Sequence, residues 1–295
     1  VSDLALVVAR HRRHVVIEAD DGSSHVCRSA SRNIQPLPGD RVSWEAEGSG
    51  TGIVTRIEPR STVLTRVNRR GLAQPIAANL TQLVVVVAAE PDIDWLVLDH
   101  YLVAAELSRL KPAIVFNKTD LQPEIPRELD VYEGIAPVFA TSTYEDRIDD
   151  AMLACLAGER SVLVGQSGVG KSSLLNALLG ENAQAVGELS DKLRQGKHTT
   201  TGSVLYRLDN GGEVIDSPGV RQYAPYIEHE NDVANGFREF HPLAPQCRFA
   251  DCRHIAEPGC AIKAALKNGT IAQRRYDNYR NLFELVAQLR ARREP

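Results

Sequence analysis

The sequence predicts three units in succession: a small all-β barrel, an α/β unit with a mostly parallel sheet, and an α-helical end-piece. Three observations carry this. Five short β-type runs separated by turns fill roughly the first 60 residues. A continuous β-branched run, Leu83, Val84, Val85, Val86 and Val87, then opens an alternation of strands with helical segments, as in a parallel sheet covered on both faces. Beyond Gly219 the strand signal stops and helical spacing takes over. A length of 295 residues suits one to three domains, and 43% hydrophobic with 24% charged residues excludes disordered and fibrous classes. The expected divisions are 1–72, 73–225 and 226–295.

The barrel runs fall at 4–9, 14–19, 25–29, 41–47 and 52–57, with turns at Pro38-Gly39-Asp40 and Gly48-Ser49-Gly50. Five strands in so short a stretch predict an OB-fold, with an SH3-like barrel as competitor. Barrels of this kind often bind RNA, yet Trp44 is the sole aromatic before residue 95, so no stripe for stacking bases is visible and a structural or protein-binding barrel stays open. Residues 59–79 are polar and irregular, with Arg66, Arg69 and Arg70 close together, and read as a linker. In the α/β unit, strands are expected at 83–87, 113–116, 136–140, 161–164, 203–208 and 213–215, with helices at 94–110 and 171–179. Helical segments follow at 231–240, 261–266 and 271–289. The last carries Tyr276, Tyr279, Leu282, Phe283, Val286 and Leu289 as an apolar packing stripe.

No apolar run reaches the roughly 18 residues of a membrane span, and residues 1–13 lack the basic-then-apolar layout of a secretory signal. A cytoplasmic protein without a membrane partner is expected. The chain opens on Val1 in place of Met, so an upstream segment is expected too. The net charge of −4 taken alone argues against a nucleic-acid partner, but it is unevenly spread. Residues 1–72 hold 11 Arg against 8 acids and residues 261–295 hold 8 basic against 3 acidic, while 73–260 hold 15 basic against 27 acidic. An acidic catalytic unit between two polyanion-touching ones gives this pattern, as do solvated charged faces.

Gly165, Gln166, Ser167, Gly168, Val169, Gly170, Lys171 and Ser172 match G-x-x-x-x-G-K-[ST], followed by Ser173, between an expected strand and an expected helix. Glycines let successive N–H groups turn toward phosphate oxygens and the helix N-terminus adds positive potential. Lys171 then reaches the β and γ phosphates, and Ser172 suits Mg²⁺. Asn117-Lys118-Thr119-Asp120, directly after a buried strand, is the guanine-reading element of P-loop GTPases. Its carboxylate accepts from guanine N1–H and the exocyclic amino group, and adenine would leave it unpaired. Asp216-Ser217-Pro218-Gly219 fits D-x-x-G, with Asp216 toward Mg²⁺ and the Gly219 N–H toward the γ-phosphate. Thr199, Thr200 and Thr201 fit the switch I threonine that ligates Mg²⁺, Thr200 first and Thr201 second. Thr141 and Ser142, after another strand, fit the loop that meets guanine O6.

In chain order the guanine reader precedes the P-loop, whereas in an ordinary small GTPase the P-loop comes first. A circular permutation preserves such a site, because every motif sits on a loop at the carboxyl end of the sheet. Val220 stands where a water-orienting glutamine is usual and Gln222 falls two places late, so slow intrinsic turnover is expected, with His198 as the group that assists hydrolysis. In the end-piece, Cys247, Cys252, His254 and Cys260 are spaced C-x4-C-x-H-x5-C, a closed set of four ligands for one structural zinc ion; disulfides are the disfavoured alternative. Cys27 reads as a small buried apolar residue.

With these motifs in this order, nearly the whole chain resembles the bacterial RsgA (YjeQ) family of circularly permuted ribosome-assembly GTPases. The resemblance implies a protein that binds the small ribosomal subunit and its rRNA late in maturation. It implies GTP hydrolysis to GDP and phosphate stimulated by that particle and accompanying release. Beside it stand the expectations of one structural zinc, of Mg²⁺ with GTP and of a monomer. Members of that family often carry a polar N-terminal extension. The rival reading is an RNA-associated placeholder for which GTP is only a structural ligand.

Overall fold

The structure is a computed structural model and describes residues 3–11, 14–68, 72–145, 148–180, 203–216 and 226–291. Strands β1 (Asp3–His11), β2 (His14–Ala19), β3 (Ser24–Ser29), β4 (Arg41–Gly48) and β5 (Thr51–Ile57) pair in the order β1-β2-β3-β5-β4. β4 closes back on β1 through Asp3 opposite Trp44 and Ala5 opposite Val42. The β3–β5 pair is parallel and the others antiparallel, which is the OB-type closure and settles the choice against an SH3-like barrel. Alternation along the strands fills the interior with Ala5, Val7, Val15, Ile17, Cys27, Val42, Trp44 and Val54. Cys27 is fully buried, and burial pushes its thiol up to about 11.

The linker expectation is corrected. Strands β6 (Val63–Val67) and β7 (Ala73–Ala78) form an antiparallel hairpin. Leu64, Ile76, Ala77 and the following Leu80 are buried in the same core as Leu83, Val85 and Ile114, so this polar-looking stretch pays out its few apolar residues to the α/β unit. The arginines that make this stretch polar have partners within the fold: Arg66 bonds Gln74 across the hairpin, and Arg60 pairs with the fully buried Asp40.

The α/β unit is built on β8 (Gln82–Ala88), β9 (Lys111–Asn117), β10 (Val138–Ala140), β11 (Arg160–Val164), β12 (Ser203–Arg207) and β13 (Glu213–Asp216). They lie in the order β10-β9-β8-β11-β13-β12, parallel except for the antiparallel β12. All seven residues of β8 are buried, as a central parallel strand requires. Helix α1 (Trp95–Leu107) is capped by Asp94, whose carboxylate accepts from the Leu96 and Val97 amides at 3.1 Å each, a cap worth about 1 kcal/mol. Helices α2 (Asp150–Leu156) and α3 (Lys171–Leu179) follow; α2 and a 3-10 turn at Arg127–Tyr132 had no expected counterpart. The barrel joins this sheet edge to edge, β1 pairing with β12 through Ala9 opposite Val204 and Arg10 opposite Ser203.

The end-piece holds α4 (Ala261–Lys267) and α5 (Gln273–Ala291). The helix expected at 231–240 is instead two 3-10 turns, Glu230–Gly236 and Arg238–Phe240. The apolar stripe of α5 packs as read: Tyr276, Tyr279, Leu282 and Val286 are buried with Phe237, Phe240 and Ile262, and Val103 of α1 belongs to the same core. Part of the positive charge of 261–295 is spent inside the fold. Arg275 is buried, Arg274 lies 3.8 Å over the Trp95 ring, and Arg290 pairs with Glu230 at 3.4 Å.

Candidate functional site

Strand β11 delivers the chain to a loop that only glycine can build at two points. Gly165 has φ +141°, and a Cβ there would lie 2.1 Å from the Val86 carbonyl oxygen of β8. Gly170 has φ +94°, and a Cβ there would lie 2.3 Å from Asn117 Nδ2. The loop is therefore pressed against both the central strand and the end of β9. Gly170 is also the N-cap of α3 and offers no capping side chain, so the first-turn amides of this helix suit an external anion such as phosphate. Lys171 Nζ donates to the Gly165 carbonyl at 2.7 Å and to that of Gln166, which holds the ammonium over the loop.

The residues after β9 and β10 form the neighbouring rim. Asn117 is fully buried; its Nδ2 donates to the Val169 carbonyl at 2.9 Å, and its Oδ1 accepts from Thr141 Oγ1 at 3.2 Å. The Thr141 amide donates to the Phe116 carbonyl at 2.9 Å, and the Thr119 amide and Oγ1 both donate to the Thr141 carbonyl at 3.1 Å. Ser142 Oγ donates to Asp120 Oδ1 at 2.6 Å. Thr141 and Ser142 are thus tied by hydrogen bonds to the N-K-x-D segment, and that segment is tied to the P-loop. Asp216 ends β13, whose Ile215 pairs with Val162 of β11, so it lies at the same carboxyl edge as the P-loop. His198, Thr199, Thr200, Thr201, Gly219, Val220 and Gln222 lie outside the described residues.

A third loop borders the site and was not read from the sequence. Gln166 Oε1 accepts from the Asp94 amide at 3.0 Å and its Nε2 donates to the Asp92 carbonyl at 3.3 Å. Lys118, at φ +63°, donates through Nζ to the Glu90 carbonyl at 2.6 Å. This segment leads into α1, the helix on which the end-piece sits. Asp99 of α1 is fully buried and accepts from Arg275 Nη1 at 2.6 Å, Tyr132 Oη at 2.7 Å and Asn278 Nδ2 at 2.6 Å. Arg275 also pairs with Glu239, and these carboxylates raise its pKa although burial opposes them; the Asp99 charge and burial likewise push the Tyr132 phenol up. The available signal was a lone Asp inside the apolar run of α1.

Cys247, Cys252, His254 and Cys260 are brought together as the spacing implied, with all four ligand atoms within 4.8 Å of one another. Cys247 Sγ lies 4.0 Å from Cys260 Sγ and 3.6 Å from His254 Nδ1, and Cys260 Sγ lies 3.4 Å from that nitrogen. Zinc bond lengths at tetrahedral angles give about 3.8 Å between sulfurs and about 3.5 Å from sulfur to nitrogen, so the donor set fits such an ion. His254 adopts φ +60°, and its carbonyl accepts from Tyr276 Oη at 2.7 Å. Glu257 accepts from the amides of Arg253, Ile255 and Ala256, which closes the knuckle. Burial pushes the Cys252 thiol up to about 12 and that of Cys260 upward, and burial lowers His254. A divalent cation would offset the cost of three crowded sulfurs by holding them as thiolates. Cys155, which the sequence reading passed over, is a fifth thiol, half-buried beside Gln82 Nε2 at 3.2 Å.

A P-loop, an N-K-x-D loop bonded to it and a following acidic strand end, all at the carboxyl edge of one parallel sheet but in rotated chain order, define a circularly permuted P-loop GTPase. The family model described as RsgA GTPase matches residues 57–225. A curated protein of Chromohalobacter salexigens named "Small ribosomal subunit biogenesis GTPase RsgA" is 43% identical over 290 residues, covering 95% of this chain and 85% of its own. Among solved structures, YjeQ from Thermotoga maritima aligns at 30% identity with a TM-score of 0.77, covering 97% of this chain and 99% of its own. YloQ, described as a circularly permuted GTPase, aligns at 25% identity with a TM-score of 0.73, covering 100% and 97%. The chain belongs to the RsgA GTPase family and is a GTP hydrolase.

Proposed function

We propose that this GTPase acts on the small ribosomal subunit late in its maturation, binding the particle and its rRNA, and that the particle stimulates hydrolysis of GTP to GDP and phosphate, linked to release. The observation that carries the nucleotide half is the bond from Asn117 to the Val169 carbonyl, which joins base reader and phosphate loop into one rim that a single nucleotide spans. The name borne by the relative that this chain matches over most of its length supports the ribosomal half.

Asp120 reads the guanine edge, with Asn117, Thr141 and Ser142 holding its loop and the stem of Lys118 beside the base. The amides of Gly165, Gln166, Ser167, Gly168, Val169, Gly170, Lys171, Ser172 and Ser173 cradle the phosphates, and the Lys171 ammonium meets their charge. Ser172, Asp216 and Thr200, with Thr201 as the alternative, would hold Mg²⁺; when bound, the ion neutralises charge on the β and γ phosphates. The glycine contacts at 165 and 170 support the phosphate-cradle reading, because a Cβ at either point would push the loop away from Val86 or Asn117 and spoil its curl. The Gly219 amide senses the γ-phosphate, and His198 orients the attacking water. Cys247, Cys252, His254 and Cys260 hold a structural zinc. The protein works as a cytoplasmic monomer with units at 1–72, 73–225 and 226–295.

Co-sedimentation with purified small subunits in GDP and in a non-hydrolysable GTP analogue, with phosphate release measured in parallel, tests this reading. Release should rise on adding small subunits, and His198→Ala should lower the stimulated rate by about 10²-fold while GTP binding persists. Binding without stimulation would leave the placeholder reading in its place, and an unchanged His198→Ala rate would remove that residue from the mechanism.

A further inference from the structure

Asp120 accounts for the edge of a guanine base but for neither of its faces. The Lys118 stem is drawn from the end of β9 toward the loop after β8 by the bond from its Nζ to the Glu90 carbonyl, so it can cover one face. For the other face, the loop that follows Ser142 is a neighbour of Asp120 that can supply a cover. That loop is a tight turn: Ser142 Oγ donates to Asp120 Oδ1 at 2.6 Å and accepts from the Glu145 amide at 3.3 Å. Tyr144 sits in the turn between those two anchors. Two residues of chain span at most about 7 Å, so its backbone stays within a side chain's length of the carboxylate that reads the base. It is 86% exposed, more than any other large hydrophobic among the described residues, with Leu121 next at 55%.

We propose that the Tyr144 ring stacks on the guanine base, forming the face of the base pocket opposite the Lys118 stem. This rests on the guanine-nucleotide reading of the site. A phenol ring so exposed gains by covering a purine face, and stacking is indifferent to the edge pattern of the base. Tyr144 therefore adds affinity shared by GDP and GTP, while Asp120 supplies the choice of guanine.

The test uses the whole chain with GDP, GTP and ATP as probes. Tyr144→Ala should weaken GDP and GTP binding by the same factor, about tenfold or more, with the preference over ATP retained. Tyr144→Phe should bind as the parent does, since the ring and not the hydroxyl carries the contact. Tyr144→Trp should show an emission change on GDP addition that the parent, with Trp44 and Trp95 alone, lacks. Unaltered nucleotide affinity in Tyr144→Ala overturns the proposal, as does an equal loss in Tyr144→Phe. Intact nucleotide binding combined with lost small-subunit binding would assign the ring to the particle and overturn it as well. If the parent chain retains neither GDP nor GTP, the guanine reading itself fails, and that outcome is distinguishable from the others.

Discussion

Replacing Arg275 by Met isolates the contact that seats the end-piece on helix α1. The guanidinium is 1% exposed and the Asp99 carboxylate 0% exposed, at 2.6 Å. Methionine keeps much of the stem packing near Phe237, whose ring centroid lies 4.6 Å from the Arg275 guanidinium carbon, but removes the charge. Asp99 then keeps only Tyr132 Oη and Asn278 Nδ2, while Glu239, about one-fifth exposed, recovers water. Breaking a buried pair from one side costs about 3–5 kcal/mol, and the two remaining donors put this case at about 3 kcal/mol. Urea unfolding followed by tryptophan emission suits the measurement, because Trp95 lies under Arg274 at the same junction. In an Asp99→Asn background the same substitution should cost at least 1 kcal/mol less, since no stranded carboxylate remains. A loss under about 1 kcal/mol in Arg275→Met, or an identical loss in both backgrounds, would refute the claim that this pair seats the end-piece.

Gly170→Ala should abolish nucleotide binding while leaving the circular dichroism of the fold near its parent value, because a Cβ 2.3 Å from Asn117 Nδ2 at φ +94° must push the base reader off the P-loop. Retained GDP binding would contradict that. For the Cys3His cluster, burial holds the Cys252 thiol at about 12 and raises Cys260, so these two thiols are protonated through the neutral range when no metal is bound. Each thiolate ligand then costs a proton, and zinc affinity should rise by about tenfold or more per pH unit between about pH 6 and pH 8, with protons released on binding. Competition against a chromophoric chelator in weak buffer reads both quantities, and a pH-independent affinity would contradict the assignment.

What the sequence made legible was local. Glycine and lysine at fixed spacing marked the P-loop, the unbroken run at Leu83 to Val87 marked a central strand, and ligand spacing alone placed Cys247 beside Cys260. What stayed hidden depends on partners far along the chain. Leu64 and Ile76 are few among arginines, and only their burial under the α/β unit makes strands of that stretch. Arg274, Arg275 and Arg290 belong to the basic excess of 261–295, and nothing local shows that Trp95, Asp99 and Glu230 lie against them. The motif assigns Gln166 only a backbone amide, and nothing local shows that its side chain bonds Asp92 and Asp94 at the entry to α1.

The pairing of β1 with β12 has a consequence for how the chain survives synthesis. Without the barrel, residues 203–207 would be the lateral rim of the sheet, a row of unsatisfied amides and carbonyls able to recruit another chain. The opposite rim, β10, is only three residues long and offers little to recruit. The barrel caps the vulnerable side, and Arg207 clasps Glu18 across the seam at 2.6 and 2.8 Å. Because Ala9 meets Val204, the covering strand is made long before the rim it covers emerges from the ribosome, and a fragment shorn of its first sixty residues or so would self-associate through the uncovered rim.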